Sequence, residues 1–313
     1  MSGQPQRDWT IIEALDWCTR YLEEHDDPNP RLSAQWLLSE VTDLSRTEVY
    51  AYFDRLLTNA ERTQLREKLQ RRGAGEPLQQ VLGEAPFRHL SIGVCPDVLI
   101  PRPETEGLVE LVLEHLSSQG PDRNGAIGSL ASILDIGTGS GCIALALASE
   151  YPEVAVTATD LSPEALSVAR ENAEKLGLLD RIEFIESDGF DALAGRTFDV
   201  IVSNPPYVPS AMMRLVEDQV LAHEPRLALD GGLDGLDLFR RILDGTIDHL
   251  HENGALFVEL DECNAPQAAD LAVQLNRYAQ VVVKADLSGR DRYVVATGFS
   301  RRGGPHHEQV PSC

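Results

Sequence analysis

The feature that most constrains this chain is an alternation of apolar runs and helical segments from Ile133 onward. The apolar runs are SILDIG, VAVTATD, RIEFIES, FDVIVSN and ALFVEL, and the helix candidates between them include GCIALALASE, PEALSVARENAEKL and LDLFRRILDGTIDHLH. Strands that are apolar throughout are typical of a parallel sheet that helices cover on both faces. The pattern therefore predicts an α/β fold built from strand-helix-strand units.

Two further strand candidates, QVVVKADL and RDRYVVATG, follow one more helical segment near the end of this region. Too few residues separate them for a helical crossover, which favours an antiparallel pair at the edge of the sheet. The sequence thus predicts a seven-stranded sheet that is mostly parallel, with its last strand antiparallel.

The first 75 residues have a different character, because they contain amphipathic segments of helical spacing. These segments are DWTIIEALDWCTRYLEEH, PRLSAQWLLSEV and NAERTQLREKLQRR. All three tryptophans, Trp9, Trp17 and Trp36, lie in this region. Either they form the core of a small helical bundle, or they present a docking face to a partner.

A chain of 313 residues is long enough for two domains. We expect an N-terminal helical domain at 1–75 and the α/β domain at 105–298. Between them, β-type and turn residues predict a hairpin linker at 76–104. Residues 299–313 have nothing to bury, and we expect a disordered tail there.

The composition excludes several classes of protein. With 50 acidic and 27 basic residues, the net charge of -23 disfavours direct binding to nucleic acid. No long apolar run and no export signal is found, so we expect a cytoplasmic protein without a membrane partner. The five cysteines contain no C-x-x-C pair, and neither a disulfide framework nor a metal site is expected.

The segment LDIGTGSG is the first candidate binding element, because it joins the first strand to a helix. Glycines allow close approach of a ligand to the backbone, and the helix start offers free N–H groups. The spacing matches neither the dinucleotide fingerprint nor a phosphate-binding loop. Asp135 would repel a pyrophosphate but suits an ammonium group, and S-adenosyl-L-methionine carries one. The candidate cofactor-binding residues are Asp135, Gly137, Thr138, Gly139, Ser140 and Gly141.

Acidic residues after the next two strands extend this site. Asp160 ends the second strand, where a carboxylate can accept hydrogen bonds from both ribose hydroxyls. Asp188 and Gly189 follow the third strand and are expected to flank an adenine ring. A tight turn without a ligand is the alternative for the glycine loop alone. The three elements together favour S-adenosyl-L-methionine as cofactor.

The segment SNPPYVP follows the fourth strand and suggests transfer to a planar nitrogen. The Asn204 side-chain carbonyl and the Pro205 backbone carbonyl can accept both hydrogens of an NH2 group and aim its nitrogen. The prolines remove competing donors, and Tyr207 can wall the acceptor. The predicted catalytic residues are Asn204, Pro205 and Tyr207, although an ordinary Asn-Pro turn is the alternative.

Taken together, these motifs resemble the PrmC/HemK family over residues 10 to 297. The resemblance rests on GEPLQQVLGEAPF, VLIPRPETE, LDIGTGSGCIALALA, SNPPYVP, HEPRLALDGGLDGLD and DRYVVA. It implies a Rossmann-like class I methyltransferase fold. It also implies methylation of the side-chain amide nitrogen (N5) of the glutamine in the Gly-Gly-Gln motif of class I peptide chain release factors.

The resemblance also implies roles for particular residues. Matching positions imply cofactor contacts at Gly137 to Gly141, Asp160, Gly189 and Asn204, and glutamine binding by Asn204, Pro205, Pro206 and Tyr207. The helical domain would hold the release factor. Arg102 and Glu104 would shape the cofactor entrance or form a structural salt bridge. Glu224, Arg226, Gly231 and Gly232 would order a loop near the substrate and take no part in the chemistry.

This chain departs from the family pattern at two places. Many members have a bulky residue where Gly189 stands, so we expect adenine stacking to be weaker here or to come from Phe190. Many members also have EIG..Q where this chain has ELDECN, at Glu259 to Asn264. This second departure concerns the local turn more than the activity.

Two alternatives to a release factor methyltransferase remain at this point. The first is a nucleic-acid amino methyltransferase acting on adenine N6 or guanine N2, and the second is a non-catalytic scaffold that binds the cofactor and recruits a partner. The expected partner is the release factor, without direct nucleic-acid contact, and we expect the protein to be a monomer.

Overall fold

The computed structural model describes residues 8–119, 131–215 and 222–303. These residues belong to two compact units, one within Met1–Glu84 and Asp218–His223, the other within Ala85–Glu217 and Glu224–Cys313. Of the tail predicted at 299–313, Phe299 ends the last strand and is buried, whereas residues 304–313 lie outside the described part of the chain.

The first unit is a small helical bundle. Its helices are α1 Ile11–Glu23, α2 Pro30–Thr42, α3 Arg46–Ala51, α4 Asn59–Gly73 and α5 Leu78–Leu82. Three of them begin with a capping box, in which a Thr or Ser side chain and a Glu side chain satisfy the first backbone N–H groups. Helices α3 and α5 were not predicted, because each is too short to show an apolar period.

The core of this unit consists of aliphatic residues such as Leu15, Leu37 and Leu38, which are fully buried. Trp9 packs against this core, but Trp17 and Trp36 remain 41% and 37% exposed. The core interpretation is therefore wrong for these two tryptophans. Trp17 stacks on Tyr21, and the Arg46 guanidinium lies over the Trp36 ring.

The second unit is organised around a seven-stranded sheet in the order β5-β4-β3-β6-β7-β9-β8. Its strands are β3 Ala131–Ile136, β4 Val154–Asp160, β5 Ile182–Glu186, β6 Phe198–Ser203, β7 Leu250–Glu259, β8 Tyr278–Ala285 and β9 Asp291–Phe299. Strands β3 to β7 pair in parallel, whereas β9 is antiparallel to both β7 and β8. The predicted α/β fold with an antiparallel last strand is confirmed.

Helices cover both faces of this sheet, as its apolar strands require. They are α6 Pro103–Ser118, α7 Cys142–Glu150, α8 Pro163–Lys175, α9 Asp237–His249 and α10 Ala265–Leu275. Alternate strand residues enter opposite cores: Ile133 packs with α6 and α7, and Leu134 packs with α9 and α10. A two-stranded hairpin, β1 Glu84–Phe87 with β2 Leu90–Gly93, forms part of the β-type segment that precedes α6.

The sheet order places the candidate motifs at one edge. The chain leaves β3 toward β4 and β5 on one side, while β6 and β7 lie on the other side. Ligands of open α/β sheets bind beyond the carboxyl ends of the strands at such a reversal. The glycine loop after β3, Asp160 at the end of β4 and Asn204 after β6 therefore meet there.

In the described stretches, every helix is too short or too polar to span a lipid bilayer.

Candidate active site

A cavity of about 600 Å³ lies beyond the carboxyl ends of β3, β4, β5 and β6. The predicted site residues that line it are Gly137, Thr138, Gly139, Ser140, Asp160, Asp188, Gly189, Asn204 and Pro206. The predicted site residues that do not line it are Asp135, Gly141, Pro205 and Tyr207. The fold thus brings residues that follow four different strands, β3, β4, β5 and β6, to one cavity.

The glycine loop leaves room for a ligand at two positions. Gly137 and Gly139 have φ angles of 71° and 55°, which favour glycine. A Cβ atom at either position would meet no other atom within 4 Å. Gly141 differs, because its Cβ would lie 3.1 Å from the Ala169 Cβ, and this glycine permits close packing of α7 on α8.

The Asp160 carboxylate holds the loop and also faces the cavity. Its Oδ2 atom accepts a hydrogen bond of 2.8 Å from the Gly139 amide, and Oδ1 accepts one of 2.9 Å from the Ser162 amide. Each carboxylate oxygen has a second lone pair. The carboxylate therefore retains the capacity to accept bonds from a diol in the cavity.

Asp135 lies beneath the glycine loop and is fully buried. Its Oδ2 atom accepts a hydrogen bond of 2.6 Å from the Thr138 hydroxyl. Burial raises the pKa of Asp135 to about 7, although the Thr138 bond opposes the rise. Asp135 does not line the cavity, and its hydrogen bond with Thr138 ties this carboxyl group to the glycine loop.

Asp188 and Gly189 lie beside a cavity residue that the sequence analysis missed. Arg241, on α9, lines the cavity and donates to Asp188 Oδ1 at 2.7 Å and to the Asp188 carbonyl at 3.1 Å. A Cβ atom at Gly189 would lie 3.4 Å from Arg241 Nη2. The guanidinium therefore occupies the space next to the missing Gly189 side chain.

Phe190 does not take the place of the absent side chain. Its ring stacks on His249 with 4.6 Å between ring centroids, and it packs on α9 where Gly245 has no side chain. Phe190 is also absent from the cavity lining. The expectation that Phe190 supplies stacking within the cavity is therefore wrong.

The Asn204 side chain reaches the cavity from the end of β6. The preceding residue, Ser203, is buried and donates from Oγ to the Ile136 carbonyl at 2.7 Å, which joins the ends of β6 and β3. Asn204 Nδ2 donates to the Thr105 hydroxyl at 3.2 Å. With its NH2 end turned to Thr105, the amide keeps Oδ1 available as an acceptor.

Tyr207 is half-buried and packs against the core on the α9 and α10 side of the sheet. Burial, with a further contribution from Glu259, raises the pKa of Tyr207 to about 12. Its backbone carbonyl accepts a 2.9 Å bond from Asn264 Nδ2. Asn264 belongs to the ELDECN departure, so this unusual segment supports the loop that carries Asn204.

The LDGGLDGLD segment packs directly on the NPPY loop. The Val208 amide donates to the Leu229 carbonyl at 2.9 Å, and the Gly231 amide donates to the Val208 carbonyl at 2.8 Å. A Cβ at Gly231 would lie 2.5 Å from the Pro206 carbonyl oxygen, and one at Gly235 would lie 2.2 Å from that of Tyr207. These glycines are required because two backbones touch, and the motif orders the loop as the resemblance implied.

Arg102 lies at the cavity and forms a salt bridge whose partner is Glu224. Arg102 lines the cavity, and its Nη2 atom donates to both oxygens of the buried Glu224 carboxylate at 2.7 and 2.8 Å. Glu104 does not line the cavity, and its backbone carbonyl accepts a 2.6 Å bond from the Tyr293 hydroxyl. Arg102 therefore forms a salt bridge and borders the cavity at once.

Across the three described ranges, His, Cys, Asp and Glu side chains form no group of three or more that could hold a metal ion.

Comparison with known proteins identifies similar sequences for most of the chain. Residues 13–83 match the family model of the PrmC N-terminal domain, and residues 109–234 match that of the methyltransferase small domain. The release factor glutamine methyltransferase of Rhodopirellula baltica is 38% identical over 285 residues, which are 91% of this chain and 95% of that protein. The protein of the same name from Geobacter sulfurreducens is 42% identical over 252 residues, 80% of this chain and 84% of that protein.

Among solved structures, the N-terminal domain of human METTL16 in complex with SAH aligns with a TM-score of 0.49 at 18% identity. The alignment covers 90% of this chain and 95% of that one.

Proposed function

Since this chain belongs to the release factor glutamine methyltransferase family, we propose that it methylates the glutamine side-chain nitrogen N5 in the Gly-Gly-Gln motif of class I peptide chain release factors. The methyl donor would be S-adenosyl-L-methionine. One observation carries the proposal: the Asn204 amide, with Oδ1 available, lines the same cavity as the glycine loop and Asp160. The reaction supports translation termination in the cytoplasm.

The cavity residues fit this cofactor. The backbone at Gly137 and Gly139 would hold its amino acid end, because open space lies where side chains would otherwise project. Asp160 would accept hydrogen bonds from the ribose hydroxyls, and Asp188 with Arg241 would hold the adenine end. When bound, the cofactor supplies an electrophilic methyl group on a sulfonium.

The residues of the NPPY loop would orient the acceptor nitrogen. An amide nitrogen is a weak nucleophile, because its lone pair is delocalised into the carbonyl group. Asn204 Oδ1 and the Pro205 backbone carbonyl would accept the two N5 hydrogens, holding the lone pair toward the cofactor side of the cavity. Neither proline can donate a backbone hydrogen bond that would compete. The N5 proton becomes acidic only as the new bond forms, so no strong base is required beforehand.

The helical unit would recognise the release factor. Trp17 and Trp36 present exposed aromatic surface, and such residues are enriched at protein interfaces. The net charge of -23 supports a protein substrate over a nucleic acid. We therefore assign release factor docking to residues 1–75, and we expect the enzyme to act as a monomer.

A labelling experiment tests the substrate. With tritiated S-adenosyl-L-methionine, we expect the protein to label a class I release factor and to leave DNA and tRNA unlabelled. A release factor whose Gly-Gly-Gln glutamine is replaced by alanine should also remain unlabelled. Labelled nucleic acid together with a blank release factor would establish the nucleic-acid alternative instead.

A second measurement tests the adenine end of the cavity. Replacing Arg241 with alanine should weaken binding of S-adenosylhomocysteine about tenfold, since a flat cationic surface beside Asp188 is lost. The matched control is Arg240→Ala on the same helix, because Arg240 pairs with Asp234 and does not line the cavity. Isothermal titration calorimetry measures both affinities. Equal affinities of the two variants for S-adenosylhomocysteine would show that Arg241 does not contribute to cofactor binding.

A further inference from the structure

The amide of Asn204 has two possible orientations, and only one of them presents an oxygen to the cavity. The hydrogen bond from Nδ2 to the Thr105 hydroxyl selects this orientation. Thr105 lies in the first turn of α6 and is 2% exposed, so no bulk water competes for its hydroxyl. The orientation of Asn204 thus depends on whether Thr105 accepts or donates.

A buried carboxyl group, that of Glu259, interacts with the Thr105 side chain. Glu259 ends β7, is 1% exposed and follows Val258, which pairs with Ser203 of β6, so Glu259 lies beside Asn204. Its carboxyl group is close enough to the Thr105 side chain for hydrogen bonding between them to oppose the rise in the pKa of Glu259. A hydroxyl has one proton to donate, and an ionised carboxylate can only accept. When Glu259 is ionised, the Thr105 hydroxyl donates its one hydrogen bond to Glu259. It can then only accept a hydrogen bond from Asn204.

Several charged and titratable groups surround Glu259. Burial is the largest influence and raises the pKa of Glu259 to about 7, while the Thr105 hydrogen bond and the Arg292 charge oppose the rise. The groups that interact electrostatically with Glu259 are Arg292, Glu104, Asp286, Tyr207, Tyr293 and Cys142. Among the described residues, Glu259 Oε2 has no hydrogen-bond partner.

We propose that Glu259 and Thr105 are positioning residues, which together turn the oxygen of Asn204 toward the acceptor nitrogen. When Glu259 is ionised, Asn204 Nδ2 donates a hydrogen bond to the Thr105 hydroxyl, and this hydroxyl donates one to Glu259. A protonated Glu259 donates a hydrogen bond to Thr105, so the Thr105 hydroxyl can donate its own hydrogen bond to Asn204. This favours the opposite orientation of the Asn204 amide, with its oxygen toward Thr105. In that orientation, the Asn204 amide presents N–H groups to the methyl-accepting group, which is itself an NH2 group. This inference rests on the proposed amide methylation.

The principal test is Glu259→Gln, which keeps the shape of the side chain and removes the obligatory acceptor. We expect kcat for release factor methylation to fall about 10- to 100-fold, while the affinity for S-adenosylhomocysteine remains unchanged. In the wild type, the acid limb of the pH dependence of kcat should have its midpoint near the Glu259 pKa of about 7. That limb should be absent from the variant.

Two pairs of variants separate positioning from a structural effect. Thr105→Val should match the loss of Glu259→Gln, whereas Thr105→Ser keeps the hydroxyl and should retain most of the activity. Glu262→Gln, at an exposed position of the same segment, should retain the wild-type rate and pH profile. Retained S-adenosylhomocysteine affinity verifies that each variant is folded.

The outcomes distinguish this inference from the function on which it rests. A wild-type protein that binds S-adenosylhomocysteine but methylates no release factor would overturn the proposed function. If the wild type is active and Glu259→Gln keeps both its rate and the acid limb, only the positioning inference fails. Equal rates for Thr105→Val and Thr105→Ser would overturn it as well.

Discussion

Replacing Asn204 with alanine is expected to lower kcat by about two to three orders of magnitude and to leave the affinity for S-adenosylhomocysteine within about twofold. The alanine removes Oδ1, the acceptor that would orient the glutamine nitrogen. It also leaves the Thr105 hydroxyl without the 3.2 Å bond that it accepts from Nδ2. The effect should appear in kcat because the orientation matters most while the new bond forms.

Single-turnover kinetics and calorimetry together measure this split between turnover and cofactor binding. The matched control is Gln274→Ala, which removes an exposed amide side chain from α10. It should change neither quantity. Equal losses of turnover and cofactor affinity in Asn204→Ala would assign Asn204 to ground-state cofactor binding instead.

The second large effect is expected at Asp160, where asparagine should weaken S-adenosylhomocysteine binding about 10- to 100-fold. Both carboxylate oxygens accept backbone N–H groups, from Gly139 at 2.8 Å and from Ser162 at 2.9 Å. In asparagine, one oxygen becomes an NH2 group that would face an N–H donor. The substitution therefore disturbs the glycine loop and removes an acceptor for the ribose hydroxyls.

Isothermal titration calorimetry measures the loss at Asp160, and Asp270→Asn, at an exposed position on α10, is the control of the same chemistry. We expect the control to bind as the wild type does. Wild-type affinity in Asp160→Asn would show that the ribose does not depend on this carboxylate.

The sheet could be predicted because its signal is local. An apolar run such as FDVIVSN must be covered on both faces, and the helical segments that follow such runs supply the cover. Short helices carry less information. Helix α3 has one buried residue, Val49, and is too short for a period, although the capping residues Ser45 and Glu48 mark its start.

The helical unit shows that a sequence pattern does not determine which apolar side chains are buried. Trp17 and Trp36 are large and apolar enough for a core, yet the aliphatic residues of α1 and α2 fill the bundle. Their rings remain at the surface against Tyr21 and Arg46. Which apolar residues enter a core depends on how neighbouring helices pack, and a single helix does not specify that.

For the candidate site, the sequence by itself determined which loops meet. Parallel strands place their carboxyl ends at one edge of the sheet, and the strand order reverses at β3, which opens a cavity there. Only the tertiary structure decided how the side chains are used. It placed Asp135 beneath the loop, turned Phe190 onto His249 and set Arg241 beside Gly189. It also joined Asn204 to Thr105, which is distant in sequence, and brought Glu259 next to both residues. The physical reason is that backbone periodicity is encoded within a segment, whereas the direction of a buried polar side chain depends on partners that only folding brings into contact.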